Sequence, residues 1–225
     1  MKFLTISKTL LIFIMPFLLF LIVLNFVGFD KKFYHEKFLE YGVQKDLPNA
    51  VLLHETVINF IKGKDLKLPD ELNEREKQHL WDVRSILAIS KVTLYALLSL
   101  FILLFIASAF ILKTNNNLSD FAGAVLFFGG LLTIASAVIL IFFINFNFST
   151  FFESFHKILF KSGTYTFDPS ADIIIKIYPE QLFIELGARI FKVLILVSLI
   201  IALTGVFSTY KKILTALPLR FFLPK

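Results

Sequence analysis

The sequence predicts an all-α, polytopic membrane protein with four transmembrane helices and helical extracytoplasmic loops. Three observations carry that expectation. The chain is 57% hydrophobic, with 29 phenylalanines among 225 residues and a mean hydropathy of +0.78, whereas soluble domains run nearer half apolar. Its apolar residues gather in four long runs, each able to cross roughly 30 Å of hydrocarbon, which takes about 20 helical residues. It has no cysteine, so no disulfide framework, thiolate nucleophile or Cys-based zinc site is available.

The runs fall near Thr9–Val27, Val92–Leu112, Phe121–Phe146 and Ala188–Phe207, in a single membrane domain over 1–225. The first is too long for a signal peptide and no small-x-small cleavage pattern follows it, so it reads as a retained anchor with Pro16 as a kink. In the third, Gly129, Thr133 and Ala137 recur every four residues, a spacing that lets helix backbones approach closely in lipid. Arg189 and Lys192 lie in the outer third of the fourth and are expected to snorkel to the interface, Glu185 standing one turn before Arg189 as its partner.

Orientation follows from the short flanks. Lys2 and Lys8 before the first run, and Lys211, Lys212, Arg220 and Lys225 after the last, have no acids among them. Long loops translocate largely regardless of charge. Both termini and the tight turn 113–120 are therefore expected in the cytoplasm, and the loops 28–91 and 147–187 outside a cell membrane. The net charge of +6 does not call for a nucleic-acid partner, because the basic residues are interleaved with acids or collected at run ends.

A loop as long as 28–91 without structure would be unusual. Lys31–Tyr41 reads as an amphipathic helix closed by Gly42. Pro48–Ile61 reads as another, with Val51, His54, Ile58 and Ile61 on one stripe, which makes His54 a packed histidine. His35, beside Tyr34 and Glu36, reads as solvated. Asn73 followed by Glu76 has the form of a capping box, opening a helix that runs through His79 into the second span. Glu76, His79 and Asp82 then share a face, where a carboxylate one turn from an imidazole can fix its tautomer.

In the second loop, Thr150 and Glu153 suggest another capping box, starting an interfacial helix over Phe151–Phe160. That helix places His156 at the water–lipid boundary. Lys161–Phe167 reads as a turn and a short extended piece. Asp168-Pro169 reads as an N-cap with proline at the first helical position, and Pro179 as the opening of the last helix. Four histidines in 225 residues leave few groups able to move protons at neutral pH. His79 and His156, each flanked by acids and aromatics on the same side of the membrane, are where chemistry is expected.

The two histidine clusters resemble the bacterial lipoprotein intramolecular transacylases. The resemblance rests on His79-Leu80-Trp81-Asp82-Val83-Arg84 leading into the second span. It rests equally on Phe155-His156 followed by Thr164-Tyr165-x-Phe167-x-Pro169-x-x-Asp172 and Tyr178-Pro179-Glu180. Span count and loop sizes match along nearly the whole chain. The resemblance implies an acyl shift within one molecule. An ester-linked chain of a diacylglyceryl-cysteine moves to that cysteine's α-amine, giving a lyso-form lipoprotein. It implies membrane lipid and a diacylglyceryl-modified lipoprotein as partners, His79 and His156 as catalytic pair, and Asp82, Arg84 and Asp172 in support, with no metal or cofactor.

The chemistry suits these residues. An N-terminal amine has a pKa of about 8 and histidine about 6.5, so an imidazole can take the amine's proton as it attacks the ester and return one to the glycerol oxygen. His79 is expected as base and His156 as acid or second base, with Asn145, Asn147 or Arg84 steadying the oxyanion. Other classes remain open. His79, Asp82, His156 and Asp172 could together ligate zinc in an outer-leaflet lipid hydrolase or phosphatase. A non-enzymatic membrane module is a further alternative, and a transporter is the least supported because the spans carry few ionisable groups.

Overall fold

The structure is a computed structural model that describes residues 2–65, 67–113, 117–160 and 163–216, with side chains as far as 208. Residues 114–116 of the tight turn, the side chains of Lys211 and Lys212, and Arg220 and Lys225 lie outside the described residues. Among those described, the elements are all helical: α1 (Lys2–Val27), α2 (Lys31–Glu40), α3 (Val43–Asp46), α4 (Ala50–Ile61), α5 (Glu74–Leu112), α6 (Leu118–Phe146), α7 (Phe148–Leu159), α8 (Ile173–Ile177) and α9 (Glu180–Ala216). Four of them, α1, α5, α6 and α9, are long and apolar enough to cross a membrane. The fold class expected from the sequence is the one observed. α1 is continuous through Pro16.

The chain divides into two compact units. One comprises 1–20, 95–139 and 192–225; the other comprises 21–94 and 140–191. In the first unit, Leu11, Met15, Leu112, Phe121 and Val125 form the apolar core, and a buried hydrogen bond joins Ser7 Oγ to Ser108 Oγ at 2.8 Å. Thr133 and Ala137 are buried as the small-residue stripe predicted, and Gly129 packs on Met15.

The closest approaches between the backbones of different helices involve two other glycines. A Cβ on Gly130 would lie 2.8 Å from the Ser198 carbonyl oxygen, and one on Gly205 would lie 2.6 Å from both the Gly123 carbonyl oxygen and the Phe127 nitrogen. Neither contact can be relieved by turning a side chain. Gly205→Ala should therefore cost roughly 1–3 kcal/mol through overpacking, read as a lowered thermal midpoint in detergent. An unchanged midpoint would show that the seam is looser than drawn.

The second unit packs the loop helices into two apolar clusters. Phe33, Tyr34, Phe38, Val43, Ala50, Leu53, Ile177 and Leu182 form one. Val57, Ile58, Phe60, Ile61, Leu68, Leu72, Leu80 and Ile174 form the other. His54 is buried between them as predicted, its Nδ1 2.9 Å from the Tyr178 hydroxyl, and His35 is exposed.

Several local expectations need correcting. Arg189 pairs with Asp30, not Glu185, while Glu185 holds Lys37 and the Tyr41 hydroxyl. Two α2 neighbours thus claim the carboxylate before the i, i+4 arginine can. α7 begins three residues early, at Phe148, because Asn147 accepts the Thr150 N–H at 3.0 Å and serves as the cap. Glu153 instead pairs with Lys157. Asp168 opens a turn and no helix: its carboxylate accepts from the Ser170 N–H and hydroxyl, and helix resumes only at Ile173.

Candidate functional site

The capping box predicted at Asn73 is present in both directions. Asn73 Oδ1 accepts the Glu76 N–H at 3.0 Å, and Glu76 Oε2 accepts the Asn73 N–H at 2.7 Å. That cap fixes the start of α5 and puts His79 one turn further on. The second oxygen of Glu76 reaches across the fold and accepts the Ile174 N–H at 2.7 Å, satisfying a donor that the first turn of α8 would otherwise leave open. Glu76 is almost fully buried, and its bonds go to the backbone, so it does not orient His79.

Asp172, likewise only 1% exposed, is the companion anchor. It accepts from Asn73 Nδ2 at 2.7 Å, from the Arg75 guanidinium at 2.7 Å and from the Asp168 N–H at 2.6 Å. Burial pushes its carboxyl up, but these donors outweigh burial and hold it below the usual range. Two carboxylates thus tie the 168–174 segment to the head of α5. The Arg75 guanidinium also lies 5.9 Å from the Phe167 ring, and Phe167 packs edge-on against His79 at 5.3 Å. The clamp and the histidine are mechanically joined.

His156 enters from α7, an amphipathic helix that exposes Phe155, Ile158 and Leu159 and buries the histidine. The structure brings the two predicted histidines together: their rings lie 6.0 Å apart at 20°. Phe160 stacks on both, at 4.7 Å from His79 and 4.9 Å from His156. Phe152 at 4.1 Å and Tyr165 at 5.4 Å close the cage around His156.

The nitrogens are not equivalent. His156 Nδ1 lies 2.7 Å from the Phe152 carbonyl oxygen. A carbonyl only accepts, so Nδ1 carries the hydrogen and Nε2 keeps its lone pair. His79 Nδ1 is buried without a hydrogen-bond partner among the described residues. His79 precedes the apolar run of α5, and burial, then the neighbouring His156, lower its pKa to about 4 against a smaller pull from Asp82. Burial also lowers His156, partly offset by the Phe152 carbonyl. Both imidazoles are neutral at pH 7.

The supporting residues sort differently from the expectation. Asp82 is half-buried and accepts the Thr164 hydroxyl at 3.1 Å, with no hydrogen bond to His79. Arg84 turns away to the Asp65 carbonyl at 2.9 Å and lies over the Phe60 and Trp81 rings. Asn145 bonds the Ile141 carbonyl and Asn147 caps α7, so the three groups considered for an oxyanion are engaged elsewhere. Among the described residues, no three of His, Asp and Glu converge to hold a metal. The zinc set imagined from His79, Asp82, His156 and Asp172 does not assemble, because Asp172 is spent on the clamp.

Sequence reasoning missed Asn73 and Arg75 as partners of Asp172, and the Phe152 carbonyl as the group that orients His156. The capping box flagged Asn73 locally, but nothing in the sequence pointed to a partner some hundred residues away. The i–4 spacing of Phe152 and His156 on one helix face was legible and went unused.

A sequence model of the family described as lipoprotein intramolecular transacylase Lit matches residues 9–183. The solved structure of the membrane-integral lipoprotein intramolecular transacylase Lit from Bacillus cereus is similar at 22% identity. It has a TM-score of 0.81 over 94% of this chain and 98% of that one. Two Bacillus cereus Lit structures with one histidine replaced, by arginine or by alanine, superpose with TM-scores of 0.77 at the same identity. They cover 94% of this chain and 94% and 96% of theirs. No curated protein sequence matches.

Proposed function

Because this chain belongs to the lipoprotein intramolecular transacylase family, we propose that His79 and His156 are the acid–base pair of its membrane acyltransferase reaction. The substrate is a lipoprotein carrying a diacylglyceryl group on its N-terminal cysteine. The α-amine attacks the carbonyl of one glycerol ester, the carbon–oxygen bond to glycerol breaks, and an amide and a free hydroxyl result. From the neutral amine one proton leaves nitrogen and one arrives on oxygen; the extra proton of the α-ammonium is lost to solvent beforehand. Holding amine and ester in one cage supplies an advantage of about 7–11 kcal/mol where orientation is good.

The observation that carries the assignment is the His156 Nδ1–carbonyl bond. It leaves Nε2 free to accept the amine's proton, with Phe152 as the orienter that a general base needs. This favours His156 as base, the reverse of the order expected from the sequence. Energetics agree. Burial lowers both rings, His79 to about 4, and only His156 has a hydrogen bond that offsets part of it. His79 then gives a proton to the departing glycerol oxygen and is re-protonated from the His156 imidazolium by way of water, since ring N–H bonds lie in plane and do not bridge a stack.

The short basic flanks support a cytoplasmic position for both termini and an exterior one for the pair. There the exposed apolar face of α7 lies at the lipid boundary, level with glycerol esters.

The purified protein, given a synthetic diacylglyceryl-cysteine peptide, should yield the N-acyl lyso peptide by mass spectrometry. The rate should rise about tenfold per pH unit below the amine pKa of about 8. Both histidines have lowered pKa values, so they are neutral near pH 7, and the rise there belongs to the amine. No product, or an inflection near 6.5 typical of exposed histidines, would count against the reading.

A further inference from the structure

Beyond the histidine pair, a charged feature is built around the end of α4. Gly63, at φ 79°, turns the chain there in the left-handed conformation. Lys62, Lys64, Lys91 and Arg84 gather around that turn. Lys91 Nζ lies 3.4 Å from the Lys62 carbonyl oxygen, and Arg84 donates to the Asp65 carbonyl at 2.9 Å. An Arg84 nitrogen stands 3.8 Å from where a Cβ on Gly63 would sit. The half-buried Lys62 holds its ammonium 4.3 Å from the Phe29 ring.

Among the described residues, none of the four cations has a carboxylate within ion-pairing distance; the neighbouring Lys31 does, in Glu55 at 2.9 Å. Asp65 offers Arg84 its carbonyl, and its carboxylate is exposed and makes no ion pair.

A helix C-terminus accounts for part of this. It presents about half a negative charge, and two free carbonyls each engage one cation. That leaves most of four positive charges unbalanced. Burial disfavours the charged Lys62, and then Lys64, Lys91 and Lys31 disfavour it further. Such an arrangement is expected where an anion completes it. The position names the class of anion. Phe29 follows the first apolar run and Lys91 immediately precedes the second, the level at which lipid phosphates lie.

We propose that Lys62, Lys64, Lys91 and Arg84 bind the phosphate of an anionic phospholipid headgroup. Lys91 lies twelve residues beyond His79 on α5, about 18 Å along the axis; Arg84 lies only five residues beyond it but turns away to the Asp65 carbonyl, and the proposal stands or falls independently of the transacylase mechanism.

The test is native mass spectrometry of the full chain in detergent, titrated with phosphatidylglycerol or with zwitterionic phosphatidylcholine. Wild type should retain phosphatidylglycerol in preference. Lys62→Gln with Lys91→Gln should weaken that retention roughly five-fold per lysine, leave phosphatidylcholine adducts unchanged, and be rescued by Lys62→Arg with Lys91→Arg. Lys31→Gln, which removes a paired lysine, should change nothing. Equal retention of the two lipids by wild type overturns the proposal even if the glutamine variant fails to fold, as does equal phosphatidylglycerol retention by that variant when folded. Displacement of phosphatidylglycerol by millimolar inorganic phosphate would reassign the cluster to a free anion and overturn the lipid as its ligand.

Discussion

A His156→Ala protein that still inserts and folds should form lyso-lipoprotein about 10²–10⁴-fold more slowly than wild type, the usual worth of a positioned acid–base group. His79→Ala should fall in the same range, since one ring takes the proton and the other gives it. The structural argument is the geometry: two neutral imidazoles 6.0 Å apart, one of them locked in tautomer by the Phe152 carbonyl. Added imidazole should restore part of the rate to His156→Ala, a response that a folding defect would not show. Mass spectrometry of lipoprotein N-terminal peptides reads both variants. Full product from either one would remove that histidine from the mechanism.

The second large effect concerns the clamp. Asp172→Ala leaves Asn73 Nδ2, the Arg75 guanidinium and the Asp168 N–H without their acceptor. A buried donor left unsatisfied costs about 1–3 kcal/mol, but the half-exposed Arg75 can turn to water. The expected loss is therefore about 3 kcal/mol, less than the full sum. Arg75→Ala should cost nearer 1 kcal/mol, because the other two donors still satisfy the carboxylate. Activity should fall alongside stability in Asp172→Ala, since Tyr165 and Phe167 reach the histidine cage from the chain next to the segment that Asp172 fastens. Thermal unfolding in detergent measures the first effect, and faster tryptic cleavage after Lys176 measures the loosening. A midpoint within about a degree of wild type would show that Asp172 fastens nothing.

The sequence was most informative where its signals were local. Four apolar runs, the capping box at Asn73 and Glu76, the packed His54 and the helix carrying His156 are each set by residues a few positions apart, and each is present. It was least informative where two local partners competed for one group. Glu185 stood one turn from Arg189, but Lys37 and Tyr41 hold it. Glu76 stood one turn from His79, but backbone donors hold it. Helical spacing says which groups are able to meet; it does not say which of several claimants, some far along the chain, arrives with better geometry and less desolvation.

The same division applies to the chain as a whole. Its order of spans, its amphipathic loop helices and the two histidines worth watching follow from hydrophobic period and residue chemistry, properties that each segment carries on its own. The stacking of those histidines, the tautomer of His156, the use of Asp172 as an anchor and the pairing of Asp30 with Arg189 were decided only when distant segments packed. A buried polar group must find a partner within about 3 Å, and that partner is settled by the three-dimensional path of the whole backbone.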